Sequence, residues 1–192
     1  MKRIIILCSL LLPGIVAAAQ DTLTQPSRFI YRNREVVRFK FPSGSRSVEL
    51  YYANVSDKLQ QDSVEMSFFE PGTMMLAVQQ GDSSHKIIFQ VGDKHTGTYK
   101  RKTSLGIDII PEENPYGIRD GEKLKAKVLR DGKPLAHAIV LVTHYNNDQA
   151  VHRELSTNDK GEVEFPVFVY GKWVFSASAD KGTGLLVWGY LR

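Results

Sequence analysis

The sequence predicts an all-β protein of two tandem antiparallel β-sandwich domains, and three observations carry that prediction. From residue 27 onward the apolar residues come in runs of five to eight, rich in Val, Ile, Phe and Tyr and separated by Gly, Pro, Asn and Asp, which is the pattern of short strands. Nothing resembles a long amphipathic helix. An internal repeat then divides the chain: Val64-Glu65-Met66 through Glu70-Pro71-Gly72-Thr73-Met74-Met75-Leu76-Ala77 aligns without gaps, at an offset of 99 residues, with Val163-Glu164-Phe165 through Val169-Tyr170-Gly171-Lys172-Trp173-Val174-Phe175-Ser176. Both copies read as strand, tight glycine turn, strand, and the offset suits one small sandwich per half.

The elements follow in order. Met1-Lys2-Arg3 is a short positive segment, residues 4–16 form an apolar stretch, and Ala17-Ala18-Ala19 supplies small residues; together they read as a secretory signal peptide over 1–19, cleaved most simply after Ala19. The apolar run over 4–19 is 16 residues, short of the roughly 20 that span a bilayer. A first domain over 20–103 is expected to hold strands at 28–31, 35–41, 48–52, 64–69, 74–80 and 86–91, and the basic stretch Lys100-Arg101-Lys102-Thr103 reads as a linker. A second domain over 104–192 is expected to hold strands at 106–111, 123–130, 138–145, 151–156, 162–168, 172–179 and 185–191. Asp131-Gly132 between two apolar runs predicts a hairpin turn of type I′, which needs positive φ. This many short strands with turns every eight to twelve residues suits a sandwich of the Ig-like or prealbumin-like kind. The last strand is apolar on both faces, with Leu185 and Val187 on one and Leu186, Trp188 and Tyr190 on the other; it should be a central strand or a docking edge.

Composition narrows the function. The 192 residues are 42% hydrophobic and 24% charged, a globular rather than a disordered balance. The formal net charge is +4, and loss of Lys2 and Arg3 with the signal leaves +2, too little for a nucleic-acid footprint. The only cysteine is Cys8, inside the apolar segment, so the mature chain can have no disulfide, thiolate ligand or cysteine nucleophile. With no second long apolar run, the mature chain is expected to be soluble. There is no G-x-S-x-G, no H-E-x-x-H, no phosphate loop and no dinucleotide fingerprint, so a non-enzymatic role is expected.

Five histidines remain, His85, His95, His137, His144 and His152. If Tyr145 pairs with Val151 around Asn146-Asn147-Asp148-Gln149-Ala150, His144 and His152 stand opposite each other on one face with Cβ atoms about 5 Å apart. With Glu154 or Asp148 as a third ligand, such a pair could hold a divalent transition metal, nickel, cobalt or zinc. The alternative is a set of exposed histidines near a hairpin tip.

A family resemblance rests on Leu105-Gly106-Ile107-Asp108-Ile109-Ile110-Pro111-Glu112-Glu113-Asn114-Pro115-Tyr116, on Asp120-Gly121-Glu122-Lys123-Leu124, on Asp131-Gly132-Lys133-Pro134-Leu135-Ala136-His137-Ala138, on residues 157–161 and on Gly171-Lys172-Trp173. This order resembles a family of secreted bacterial proteins described as NikM-like, the periplasmic component of nickel or cobalt uptake. The second half also resembles the carboxypeptidase-regulatory-like and transthyretin-like sandwiches. The NikM-like resemblance implies a secreted or periplasmic accessory binding protein for metal ion transport, with an outer- or inner-membrane transporter as partner. It also implies histidines at the mature amino terminus and soon after the Gly-x-Trp strand, where this chain has Gln20-Asp21-Thr22 and Ser178-Ala179-Asp180. The rival expectation is a structural or interaction module that docks a membrane transporter or surface protein through a sheet edge. The transthyretin-like hydrolases carry a Tyr-Arg-Gly-Ser end, in place of which this chain has Trp188-Gly189-Tyr190-Leu191-Arg192. Each motif also has a plain structural reading: a turn at Asn114-Pro115, a chain reversal at Gly161 and a core anchor at Trp173.

Overall fold

A computed structural model describes residues 20–22, 28–41, 45–52, 55–59, 63–147, 149–180 and 182–190; the signal-peptide expectation over 1–19 lies outside them. The described chain is all-β. Its strands are β1 (Gln20–Thr22), β2 (Ile30–Tyr31), β3 (Val36–Lys40), β4 (Ser45–Tyr52), β5 (Val55–Leu59), β6 (Ser63–Ser67), β7 (Gly72–Gln80), β8 (Ser83–Val91), β9 (Ile107–Pro111), β10 (Lys123–Arg130), β11 (Lys133–Pro134), β12 (Ile139–Asn146), β13 (Gln149–Ser156), β14 (Glu162–Pro166), β15 (Lys172–Ser178) and β16 (Thr183–Gly189). All the expected strands are present within a few residues. The short β1, β5 and β11 were not anticipated, because none carries an apolar run: β5 reads VSDKL and β11 KP. The Asp131-Gly132 turn has φ of 50° and 77° and joins β10 to β11, with Arg130 paired to Lys133.

Three sheets form. One has the order β1-β3-β6, a second joins β11, β10 and β14 with β9 also on β10, and the largest runs β13-β12-β15-β16-β8-β7-β4-β5 with β2 also on β8. The two halves repeat one connectivity. In each, a hairpin (β4-β5 or β12-β13) is followed by a strand of another sheet (β6 or β14) and then by two strands that return to the large sheet (β7-β8 or β15-β16). The repeat seen in the sequence is the β6-β7 and β14-β15 portion of this unit.

The halves meet through β8 and β16, which pair in parallel from Ser83 with Thr183 to Ile87 with Val187. Equivalent strands that lie side by side and parallel are related by an approximate twofold along the strands, which turns the halves to opposite faces of the shared sheet. The burial obeys that rule. On β7, Met74, Leu76 and Val78 face one core while Met75 and Ala77 face the other, and on β16 Val187 faces the first while Leu186 and Trp188 face the second. This strand therefore has β15 on one edge and β8 on the other. Its two apolar faces are those of a central strand; the docking-edge reading of residues 184–191 is corrected, since both edges of β16 are hydrogen-bonded.

The first core is an aromatic cluster in which Tyr31, Phe39, Phe68 and Phe89 meet at centroid distances of 5.4–6.1 Å. The second stacks Trp173, Phe175 and Trp188, with Phe175 and Trp188 at 4.7 Å and 10°. The Asn114-Pro115-Tyr116 motif stitches the halves together. Asn114 caps its own turn by accepting from the Tyr116 N–H at 3.1 Å, and its Nδ2 donates to Thr73 Oγ1 at 2.8 Å and His95 O at 2.7 Å. The buried Tyr116 hydroxyl donates to Ile88 O at 2.9 Å. Burying a hydroxyl this deeply requires such a partner.

His85, on β8, is 9% exposed, and burial lowers its pKa from the usual imidazole range. Its folded pKa lies below its unfolded one, so the unfolded chain takes up the proton first as pH falls. Stability is expected to be complete above the unfolded value of about 6.5 and to decline below it. Urea midpoints measured from pH 7.5 to 5 should show this decline, and it should flatten in His85→Gln.

Candidate functional site

The hairpin β12-β13 decides where the histidines go. Asn147 adopts φ of 52°, and Asn146 pairs with Gln149, so the connection is two residues long rather than the five expected. The ladder then sets Tyr145 against Ala150, His144 against Val151 and Thr143 against His152. A shift of one residue turns a side chain to the opposite face. His144 and His152 therefore stand on opposite faces of the hairpin, and the expected pair is not brought together.

His144 is 8% exposed and belongs to the inner face. Its ring stacks on Trp173 at 4.3 Å and 20°, and its Nε2 lies 2.9 Å from the Tyr170 carbonyl oxygen. A carbonyl can only accept, so Nε2 carries the proton. Gly171 makes this approach possible: its φ is 76°, and a Cβ there would meet Tyr145 O at 2.2 Å and His144 Nε2 at 2.8 Å. The Gly-Lys-Trp motif thus serves a close backbone passage and a core anchor, with Trp173 4% exposed and its Nε1 donating to Phe168 O at 3.2 Å.

His152 and Glu154 stand on the outer face of β13, opposite Thr143 and Leu141, and His152 Nδ1 is 3.0 Å from Thr143 Oγ1. Two donors share this face. Among the described residues no group of three His, Cys, Asp or Glu side chains is placed to hold a metal ion.

Sequence reasoning missed a concavity beside the histidine hairpin. An open cleft of about 230 Å³ lies between the inner face of β12-β13 and the segment after β14, lined by Val142, His144, Asn146, Gln149, Val151, Arg153, Phe165, Pro166, Phe168, Tyr170 and Trp173. Phe168 and Tyr170 stack on each other at 5.8 Å and 30° and are 39% and 45% exposed. Val151 is 58% exposed. Ordinarily such side chains would close a sandwich; here six successive residues of β13, Gln149 to Glu154, are exposed, so its inner face is open. Only one signal was available in the sequence, the run Phe168-Val169-Tyr170 just before a glycine, which is too apolar for an ordinary turn. Arg153 gives the cleft its one full positive charge and has no ion pair among the described residues. β13 itself pairs only with β12 among the described strands, so its outer edge is open.

Comparison with known proteins adds two findings. A family model described as "Domain of unknown function (DUF4198)" matches residues 22–181. Among solved structures, the D0-D1 domain of intimin is similar at 12% identity and a TM-score of 0.26, over 84% of this chain and 94% of that chain. No curated protein matches. No helix of the described residues is long and apolar enough to cross a membrane.

Proposed function

Because the chain belongs to the DUF4198 family, whose function is unknown, we propose its role from its surface: a non-enzymatic, exported accessory module that binds an extended segment of a partner protein along β13. The observation that carries this reading is the coincidence of an open strand edge with an open aromatic cleft beneath it. A strand added to such an edge gains main-chain hydrogen bonds, and every second side chain drops into the pocket alongside. Phe168, Tyr170 and Val151 offer it apolar contact, and Arg153 favours a carboxylate. A periplasmic location and a membrane transporter or surface protein as the source of that segment fit the export signal read in the sequence.

The test uses a capped peptide in which threonine occupies every second position and valine and glutamate take turns at the positions between, so that one face offers the cleft both an apolar side chain and a carboxylate, with the backbone amides of the full chain followed by NMR. Shifts concentrated on β13 are expected, with affinity falling about tenfold or more in Tyr170→Ala, the usual scale for an aromatic anchor, and falling also in Arg153→Glu. Shifts scattered elsewhere, or an affinity that neither substitution moves, would count against the cleft.

A second reading, metal delivery in the manner of the NikM-like proteins, keeps one observation in its favour: His152 and Glu154 share an exposed face. Calorimetric titration with nickel, cobalt and zinc separates the two. On this reading one ion binds, and the heat is lost in His152→Ala but kept in His144→Ala, whose ring is committed to Trp173 and Tyr170. Absence of heat in the native chain removes the metal role.

A further inference from the structure

A second polar constellation lies far from the cleft, in the wall between the halves. Lys86 on β8 has a fully buried side chain, and its Nζ contacts Asp108 Oδ1 on β9, whose side chain is 3% exposed. The same Nζ donates to Ile109 O at 3.2 Å, and Asp108 Oδ2 accepts from the Thr103 N–H at 2.9 Å. A second buried acid, Glu49 on β4, is 4% exposed and accepts from the Tyr51 hydroxyl and from Ser104 Oγ. The strand register places it in the row of Lys86: Glu49 pairs with Ala77 and Ala77 with Lys86. Only the methyl of Ala77 stands between them on that face. Buried around them are the apolar side chains of Ile88, Ile107, Ile109 and Leu186.

We propose that Lys86 and Asp108 condense to an intramolecular isopeptide bond, with Glu49 relaying the proton. A lone buried ion pair is a poor device for stability, since removing both charges from water costs as much as their attraction returns. The arrangement is nevertheless suited to reaction. Burial lowers the pKa of Lys86 and so favours its neutral amine, the nucleophilic form. Moving the ammonium proton onto Asp108 leaves an amine and a carboxylic acid in contact, held so by the fold rather than by diffusion. The Nζ lone pair attacks Cγ of Asp108 and the carbonyl electrons move onto Oδ2, where the Thr103 N–H receives the developing charge. Glu49 takes a proton from the attacking nitrogen and passes it to Oδ1. The Cγ–Oδ1 bond breaks, Oδ1 leaves as water, and Nζ is joined to Cγ as an amide. Ammonium and carboxylate are thereby converted into amide and one water with no oxidant or reductant. The bond ties β8 to β9 across the linker of a chain that has no cysteine after Cys8, and does there what a disulfide would do.

The measurement is the intact mass of the purified full chain after denaturation, with its amino terminus determined independently. A mass lower by one water is expected, along with a branched peptide joining Lys86 to Asp108 after proteolysis. Lys86→Ala and Asp108→Ala should both have their full masses. Glu49→Gln, checked by circular dichroism to retain its strands, should lack the linkage or form it at least tenfold more slowly. A native chain at full mass, or a water loss that maps elsewhere, overturns the proposal. A linkage that forms at the native rate in Glu49→Gln overturns the relay.

Discussion

Asp108→Ala is expected to destabilise the protein by about 3–5 kcal/mol, the cost of removing one member of a fully buried charged pair. The substitution strands the Lys86 amine at 0% exposure with only the Ile109 carbonyl as partner, and it orphans the Thr103 N–H. It also loosens the segment at Ser104, which is held to Glu49. The sign does not depend on whether the pair is ionic or joined as an amide, because in either case a buried amine loses its partner. Urea unfolding gives the measurement; a loss under about 1 kcal/mol would mean that water reaches Lys86. Because β9 packs between the halves, the defect should also appear as faster proteolysis in the 98–106 connection while the strands of β12 and β15 stay protected.

Trp188→Ala is expected to cost about 3–5 kcal/mol by leaving a cavity in the second core. Trp188 has no exposed surface and stacks on Phe175 and Trp173. Its Nε1 has no hydrogen-bond partner among the described residues. A buried donor without a partner is itself unfavourable, so Trp188→Phe should recover most of the loss, and the two variants compared by thermal or urea unfolding separate packing from polarity. Equal losses in both would mean that the indole's size alone decides the site.

The strands were legible because period-two alternation and apolar runs are local properties. The two-faced pattern of residues 185–191 called for a central strand or a docking edge, and β16, paired on both edges, is the central strand. Turn chemistry was equally local: Asp131-Gly132 and Gly161 take positive φ as their sequences require. The candidate site was much less legible. The metal expectation for His144, His152 and Glu154 rested on a register, and the register turned on whether the β12-β13 connection holds two residues or five. Asn147 in the left-handed region settles it, and because Asn146, Asn147 and Asp148 are all residue types that tolerate that region, composition leaves the choice open. The Lys86, Asp108 and Glu49 constellation was invisible for another reason. These residues are 22 and 37 positions from Lys86 along the chain, and a lysine within a strand reads by default as a solvent-facing residue.

By itself, then, the sequence determined an all-β chain, the places of its main strands and tight turns, and a repeat that corresponds to one recurring unit. Those features follow from side-chain alternation and backbone preference over a few residues at a time. Tertiary structure alone decided that β8 and β16 pair, that the two units face opposite sides of one sheet, that an aromatic cleft stays open under β13, and that a lysine and two acids are buried together. The joining of the two units depends on strand edges that find one another across 100 residues, as Ser83 finds Thr183, and the buried lysine and acids meet from 22 and 37 positions apart. That choice is made by burial of whole faces, and no local pattern encodes it.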